Sequence, residues 1–561
     1  MSKTKPGLFA REATGLVREV GFMLGVIIIM SHVVGLGWQK RAFQFTGPRP
    51  VPTDMLPLGL PAIFWAFLIC GIIVMITGYA AGYVTAAMPR SGGGYVTISR
   101  VIHPVVGYNA GWLMFLAEAF SYGLIGVAVF EAIMIFYNIA LAPTVIAFDA
   151  TTLFLGGVLI IIIFTALALF GVRLYGWIMH GMFWPTLIIT VAFFGMWIAG
   201  AMDPSIVATG VEDVMGAPPS TFVTLAIDTG MADPANVATF YDAFSYALAG
   251  AFWAYMGWYS VTFIAGEVKE ANKKLPMVVL SSGLIIMLIY LGSSSLSAIS
   301  TMGVAETTVG GNQWSFFQAY SWLSYGPDAA KEAAATIPNF QAAWSTGIAS
   351  LIARGMDLAW LSWIIALAGV IWLANDIPPF LLVASRTMFA MSFDRMMPEK
   401  LAEVSERWHS PIWALIITGV FGIVGCVAES NVADLGGYVQ FAGVVGTDIF
   451  DATFLTLFCV SMMLLPLERK EIYDRAAVKY SIGSVVGLGF IATLLSGYCL
   501  FTFAKESVGF MFSPGSTEDL VSSIGFWGCI IVGLVLYVAY MYRNTTKGVD
   551  MRTLYLSIPP E

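Results

Sequence analysis

The chain is 561 residues long, 58% hydrophobic and only 11% charged, whereas soluble globular domains carry charge on roughly a quarter of their residues. That composition places it in a lipid bilayer, and a formal net charge of -8, carried partly by loops, gives no basis for a nucleic-acid partner. Its five cysteines and four histidines are scattered over separate segments, giving neither a disulfide framework nor a metal-ligand cluster, so no cofactor and no metal are expected.

A membrane helix takes about 20 apolar residues, and such runs recur along the whole chain, predicting an all-α polytopic protein of about twelve spans. A segment of residues 1–19 precedes span 1, at 20–39. That run is span-length and lacks a small-residue cleavage site, so it reads as retained rather than as a secretory signal. It contains Ser31, His32, Val33, Val34, Gly35, Leu36, Gly37 and Trp38 in succession. Span 2, at 62–87, is followed by PRSGGGYVTISR at 89–100, and span 3, at 107–138, carries Glu118, Tyr122 and Glu131. Spans 4 and 5, at 152–172 and 176–201, lead to a long stretch at 202–241. Span 6, at 242–266, holds Trp253, Ala254, Tyr255, Met256, Gly257, Trp258, Tyr259 and Ser260, and passes into GEVKEANKKLP at 266–276. Span 7, at 277–300, and a second long stretch, at 301–355, precede span 8, at 356–387, which carries Asn375 and Asp376 and runs into ASRTMFAMSFDRMMP at 384–398. Spans 9 to 12 follow at 411–430, 436–465, 480–503 and 522–542, with Asp448 and Asp451 in span 10. Residues 20–543 read as one membrane domain and 544–561 as a simple tail. The two long stretches read as external caps or partial helices.

When the spans are numbered alternately from a cytoplasmic N-terminus, only Lys40, Arg41, Arg49, Lys331, Arg354 and Lys505 of the 27 Lys and Arg fall in outward segments. That bias is the one the positive-inside rule requires, and it predicts both termini on the cytoplasmic side of a cell membrane. Spans 1 and 6 carry glycine and polar residues where an uninterrupted helix would cost less, which predicts a pair of broken helices. A break frees backbone N–H and C=O groups at mid-membrane depth, where they can bind a carboxylate and an ammonium.

The three stretches at 89–100, 266–276 and 384–398 turn this pattern into a family. In order and spacing they resemble the amino acid–polyamine–organocation superfamily, whose members show a Pro-Arg-Ser-Gly-Gly-x-Tyr run after span 2. Those members also show an acidic, basic and Pro-terminated run after span 6 and a Ser-Arg…Pro run after span 8; the likeness covers about residues 8–505. The resemblance implies a LeuT-type fold, with spans 1–5 and 6–10 as inverted repeats, two peripheral spans, and a substrate held between broken spans 1 and 6. It implies secondary active transport of an amino acid, by symport or exchange with a proton or sodium, and no enzymatic activity.

The same resemblance maps the substrate carboxylate onto amides of Val34, Gly35, Leu36 and Gly37. It maps the amine onto carbonyls at Val33 and at Trp253, Ala254, Tyr255 and Met256, with Gly257 beside them. The gating tryptophan of the family's arginine/agmatine exchangers falls on Trp253 and a second aromatic on Phe380. Their span 6 acid falls on Tyr259, so that exchange is not carried over. Their span 1 asparagine falls on His32, and a small span 3 residue falls on Glu118, with Tyr122 on the same span, so the charge pattern of the site differs. The span 5 lysine of some proton-coupled relatives falls near Thr186.

No Lys or Arg is expected within the spans, yet His32, Glu118, Glu131, His180, Asp376, Asp448 and Asp451 lie in apolar runs. An acid at the bilayer centre costs roughly 2.5–3.5 kcal/mol, which calls for a wet cavity, a partner or protonation. Glu118 reads as a proton carrier or a ligand for a cationic group, against a structural hydrogen bond to a neighbouring helix. Asp376 reads as a sodium or proton site, against the satisfaction of backbone freed near Pro378 and Pro379. Glu131, His180, Asp448 and Asp451 read as structural.

A membrane-embedded enzyme lacks the HExxH and GxSxG signatures, and an ATP-driven pump lacks a phosphate loop. A polyamine or cationic amino acid carrier remains open because Glu118 and Asp376 have no basic partner in the spans, and a non-transporting amino acid sensor would use the same pocket. The expected partners are a small amino acid or amine, a coupling ion and the bilayer, with the chain a monomer or homodimer.

Overall fold

The computed structural model describes residues 7–560. The first six residues of the N-terminal segment, with Lys3 and Lys5 of the inward-assigned set, and Glu561 at the end of the tail lie outside the described residues. Among the described residues, eleven helical segments are long and apolar enough to cross a membrane, and the chain is all-α apart from one hairpin.

The first span is two helices, α1 (Phe22–Val33) and α2 (Leu36–Gln44). α3 (Ala62–Ala87) coincides with the expected span 2, and the short α4 (Gly93–Val101) follows it. α5 (Pro104–Leu141), α6 (Ala150–Leu169) and α7 (Val172–Met202) are continuous spans. The expected sixth span is present but broken: α10 (Phe240–Tyr255) has only 16 residues and continues as two 3-10 turns, Ser260–Phe263 and Ala265–Glu267, so it falls short of a full crossing as a single helix. α11 (Ala271–Met302), α15 (Ala359–Phe393), α16 (Ile412–Ser430), α17 (Val444–Glu468), α19 (Ile482–Phe512) and α20 (Thr517–Thr546) complete the set, with the short α18 (Lys470–Arg475) after α17 and α21 (Met551–Leu556) near the C-terminus.

Both long loops fold over one end of the bundle. The first forms α8 (Pro204–Met215) and α9 (Pro219–Asp228); the second forms an antiparallel hairpin, β1 (Glu306–Val309) and β2 (Asn312–Ser315), then α12 (Phe316–Tyr325), α13 (Asp328–Ala334) and α14 (Ser345–Gly355). α8 and α14 touch backbone to backbone, since a Cβ on Gly210 would stand 1.9 Å from the Leu351 carbonyl oxygen. Small residues permit the same approach inside the bundle. A Cβ on Gly123 of α5 would stand 1.8 Å from the Gly422 carbonyl of α16, whereas one on Gly181 would meet nothing within 4 Å. Gly123→Ala is therefore expected to destabilise by about 1–3 kcal/mol through overpacking, and Gly181→Ala to be neutral; thermal melts in detergent compare the two, and equal midpoints would remove the α5–α16 contact as the cause.

The three family-like stretches meet at the opposite end. Arg386 donates through Nε and Nη2 to both carboxylate oxygens of Glu267, at 2.9 and 3.2 Å. Arg100 donates to both oxygens of Asp394, at 2.7 and 2.8 Å, and the Tyr95 hydroxyl adds a third bond at 2.8 Å. Arg386 falls in the last residues of the expected span 8 and lies well inside α15, and α2 runs beyond span 1, which buries Arg41. The expectation of spans without Lys or Arg is corrected in both places: Arg386 is neutralised by a bidentate carboxylate and Arg41 stacks on an aromatic ring.

Both termini close this same end. Val20 pairs with the chain after the 3-10 turns, its N–H donating to Glu267 O at 3.0 Å, and Arg395 donates to the carbonyls of Gly7 and Phe9. The C-terminal residues are not a simple tail. α21 buries Leu554, and Arg90, Arg100 and Arg469 donate to the carbonyls of Pro559, Ser557 and Leu556, at 2.6, 3.3 and 2.8 Å. Composition hides this folding because the contacts are made to the tail's backbone.

Candidate functional site

The site forms where two helices stop. The α1 ladder ends at Val33, and α2 restarts after Gly35 with no capping side chain. On the facing element α10 ends at Tyr255 and Gly257 turns the chain at φ 93°. Gly257 is required by that backbone angle and by the His32 ring, which an added Cβ would approach to 2.6 Å; at Gly35 a Cβ would stand 2.1 Å from the Asp376 carboxylate. The Tyr290 hydroxyl joins the two breaks, lying against the Val33 carbonyl and against the Ala254 carbonyl at 2.6 Å. A single hydroxyl proton serves one of these acceptors at a time; the Val33 carbonyl also accepts from the Gly35 N–H at 2.9 Å, so the Ala254 carbonyl is the one left open to a donor when Tyr290 turns to Val33.

Between the breaks lies a cavity of about 40 Å³. A water needs about 10–15 Å³ on this measure, so in this conformation the space holds a few waters or a small polar group. His32, Val33, Leu36 and Gly37 line it from the first break, and Trp253, Ala254, Met256 and Gly257 from the second. α5 adds Ala117, Glu118, Ser121, Leu124 and Ile125; α15 adds Asp376 and Phe380; α17 adds Thr447, Asp448 and Asp451.

Its polar groups are only partly satisfied. His32 Nε2 stands 3.3 Å from Glu118 Oε2 without the alignment of a hydrogen bond. Among the described residues His32 Nδ1, Glu118 Oε2 and Asp376 Oδ1 are buried with no hydrogen-bond partner. Such atoms in a low-dielectric interior are costly unless something binds them. The Tyr259 hydroxyl donates to Asp451 Oδ1, Asn375 Nδ2 donates to Ser31 Oγ at 2.7 Å, and the His32 and Phe380 rings meet edge to face at 4.3 Å. Behind Trp253 lies the buried Arg41, its guanidinium carbon 3.7 Å from the indole centre and its Nη1 donating to Gln44. A cation held there by the ring face ties the cavity wall to α2. The lining carries four carboxyl groups, Glu118, Asp376, Asp448 and Asp451, and no Lys or Arg.

Of the residues read from sequence as substrate-binding, Val34, Gly35, Tyr122, Tyr255 and Tyr259 do not line the cavity, and the others do. The Val34 and Gly35 amides are already used, donating to the Met30 and Val33 carbonyls at 2.7 and 2.9 Å. No backbone bond among the described residues takes the Leu36 or Gly37 amide. Tyr122 is turned to α6, its hydroxyl on the Ile161 carbonyl at 2.9 Å and Thr165 at 3.0 Å, and Tyr255 donates to the Phe67 carbonyl at 3.1 Å. Thr186 is spent on its own helix, on the Met182 carbonyl at 2.6 Å.

Glu131 and His180 stand elsewhere, the first accepting from Lys40 at 2.9 Å, the second from Trp184 at 3.0 Å. Asp448 and Asp451, read as structural, line the cavity, as do Ser121 and Thr447. Helical spacing was the available signal, because Ser121 follows Glu118 by one turn and Asp451 follows Asp448 by one turn, placing each pair on one face.

Comparison with known proteins agrees with this architecture. The mouse b(0,+)-type amino acid transporter 1 is 23% identical over 282 residues, 48% of each chain, so the chain spans about half the length of that relative. An uncharacterized transporter of Mycobacterium tuberculosis is 21% identical over 447 residues, 79% of this chain and 81% of that one. A serine/threonine exchanger of Bacillus subtilis is 19% identical over 284 residues, 50% and 54% of the two chains. These are transporters, not enzymes, and the amino acid permease family matches residues 21–536. The chain, a multi-pass membrane protein, belongs to the amino acid permease family.

Proposed function

We propose that the protein is a secondary active transporter of a small amino acid in the cell membrane, with both termini cytoplasmic and a proton or sodium as coupling ion, working by symport or exchange. The observation that carries this reading is the meeting of two helix breaks at one cavity in which His32 Nδ1, Glu118 Oε2 and Asp376 Oδ1 lack hydrogen-bond partners among the described residues. A substrate carboxylate fits the uncapped N-terminus of α2, at the Leu36 and Gly37 amides, where the helix dipole favours an anion. Its ammonium fits the Ala254 carbonyl, left open when Tyr290 turns to Val33. Glu118, beside His32, is the proton-carrying group, and Asp376 against Gly35 is the alternative ion site. The amino acid and serine/threonine transport named for the relatives supports a small substrate.

A second reading, a cationic amino acid or polyamine as substrate, is favoured by Asp448 and Asp451 joining Glu118 and Asp376 around the cavity. Uptake into proteoliposomes, with and without a sodium or pH gradient, separates the two. Competition by serine or alanine but not by putrescine or arginine supports the first; the reverse supports the second. Absence of uptake of either class contradicts both.

A further inference from the structure

A groove of about 640 Å³ lies on the outer flank of the bundle, away from the substrate cavity. Its floor is the contact of α1 with α7, where Gly176 lets Leu24 pack so closely that a Cβ would come within 3.1 Å of it. Its wall is a single face of α7, on which Arg173, Trp177, His180 and Trp184 succeed one another at intervals of one turn. At 1.5 Å per residue this stripe is about 16 Å long, half of a hydrocarbon core of about 30 Å. It begins at the end of the bundle that the two termini close.

The chemistry is graded along the stripe. At its start the lining holds Arg173 and Lys269, both exposed, with Glu19 as the one acid. Neither cation forms an ion pair among the described residues. Deeper, Trp177 is 69% exposed and Trp184 40%, and the Trp184 N–H is satisfied by His180 Nδ1 at 3.0 Å. The indole edge is thus paired while the ring faces outward. Two cations at the end of the bundle followed by an apolar, aromatic track match a phosphate followed by an acyl chain.

We infer that this groove binds an anionic phospholipid, with its phosphate between Arg173 and Lys269 and one acyl chain along Trp177 and Trp184. A phosphatidylcholine headgroup would bring a third cation to the pair, so the net positive lining selects an anionic lipid. Leu24, on the groove floor, lies eight residues from His32 on α1, so an occupant braces the helix half that carries the substrate-site histidine. The assignment of the groove to the inner leaflet rests on the orientation proposed above. The test reads lipid retention rather than transport, so it can fail independently of that reading.

The full-length protein in neutral detergent is incubated with phosphatidylglycerol or phosphatidylcholine and analysed by native mass spectrometry and thermal melting. Each Lys or Arg near a membrane surface is worth roughly fivefold in binding anionic lipid. The wild type is expected to retain phosphatidylglycerol over phosphatidylcholine, and Arg173→Gln/Lys269→Gln to lose that preference by about tenfold or more while melting like wild type without lipid. Lys269→Gln alone should lose roughly fivefold, which keeps the test decisive if the double variant folds poorly. Equal retention of the two lipids by wild type, an undiminished preference in the variants, or an equal thermal shift from inorganic phosphate alone would each overturn the assignment.

Discussion

Glu118→Gln is expected to abolish accumulation of substrate driven by a pH gradient while preserving exchange of labelled for unlabelled substrate. A pH difference of one unit is worth about 1.4 kcal/mol per proton, which permits roughly tenfold accumulation for one coupled proton. A carboxamide cannot take up and release that proton, so the variant should equilibrate substrate to a ratio of about one. The substitution is nearly isosteric, and the amide can still meet His32, whose Nε2 is 3.3 Å away, so the cavity should keep its shape. Full accumulation by Glu118→Gln would remove this carboxyl from coupling and transfer the role to Asp376, whose buried Oδ1 also lacks a partner among the described residues.

Arg386→Met should be the most damaging single change at the end closed by the termini. Arg386 and Glu267 are both fully buried and bonded at two points, 2.9 and 3.2 Å. Removing the guanidinium strands a buried carboxylate, a loss of about 3–5 kcal/mol, whereas replacing both partners with apolar groups of similar volume is far milder. Thermal melts should therefore place Arg386→Met well below both the wild type and Arg386→Met/Glu267→Leu. If the double variant melts as low as the single, the pair is not what holds this end together.

The sequence pattern disclosed the bundle because the hydrophobic runs are long and the loops short; α3 and α16 lie where periodicity put them, within a residue. It also disclosed both breaks, since Gly35 and Gly257 are glycines at positions that a Cβ would block. Three kinds of information stayed hidden. Helix rotation was one: Tyr122 and Ser121 are neighbours in sequence, yet Tyr122 bonds to α6 and Ser121 faces the cavity. Contact between distant segments was another, because nothing local ties Arg41 to Trp253 or Arg386 to Glu267. The third was backbone recognition, as in the C-terminal residues held through their carbonyls by Arg90, Arg100 and Arg469. The family-like stretches have a structural meaning of their own: Glu267, Arg386, Arg100 and Asp394 clamp one end of the bundle, whatever the substrate.

Ser121→Cys reads out directly whether substrate binds in the cavity between the two breaks. Ser121 lines that cavity, while the native cysteines Cys70, Cys426, Cys459, Cys499 and Cys529 do not. Labelling of Ser121→Cys by a small thiol reagent in proteoliposomes, measured with and without a saturating transported amino acid, reports occupancy at the site. Substrate is expected to protect this cysteine in proportion to its saturation of transport. Unchanged labelling under saturating substrate, in a variant that still transports, would contradict it.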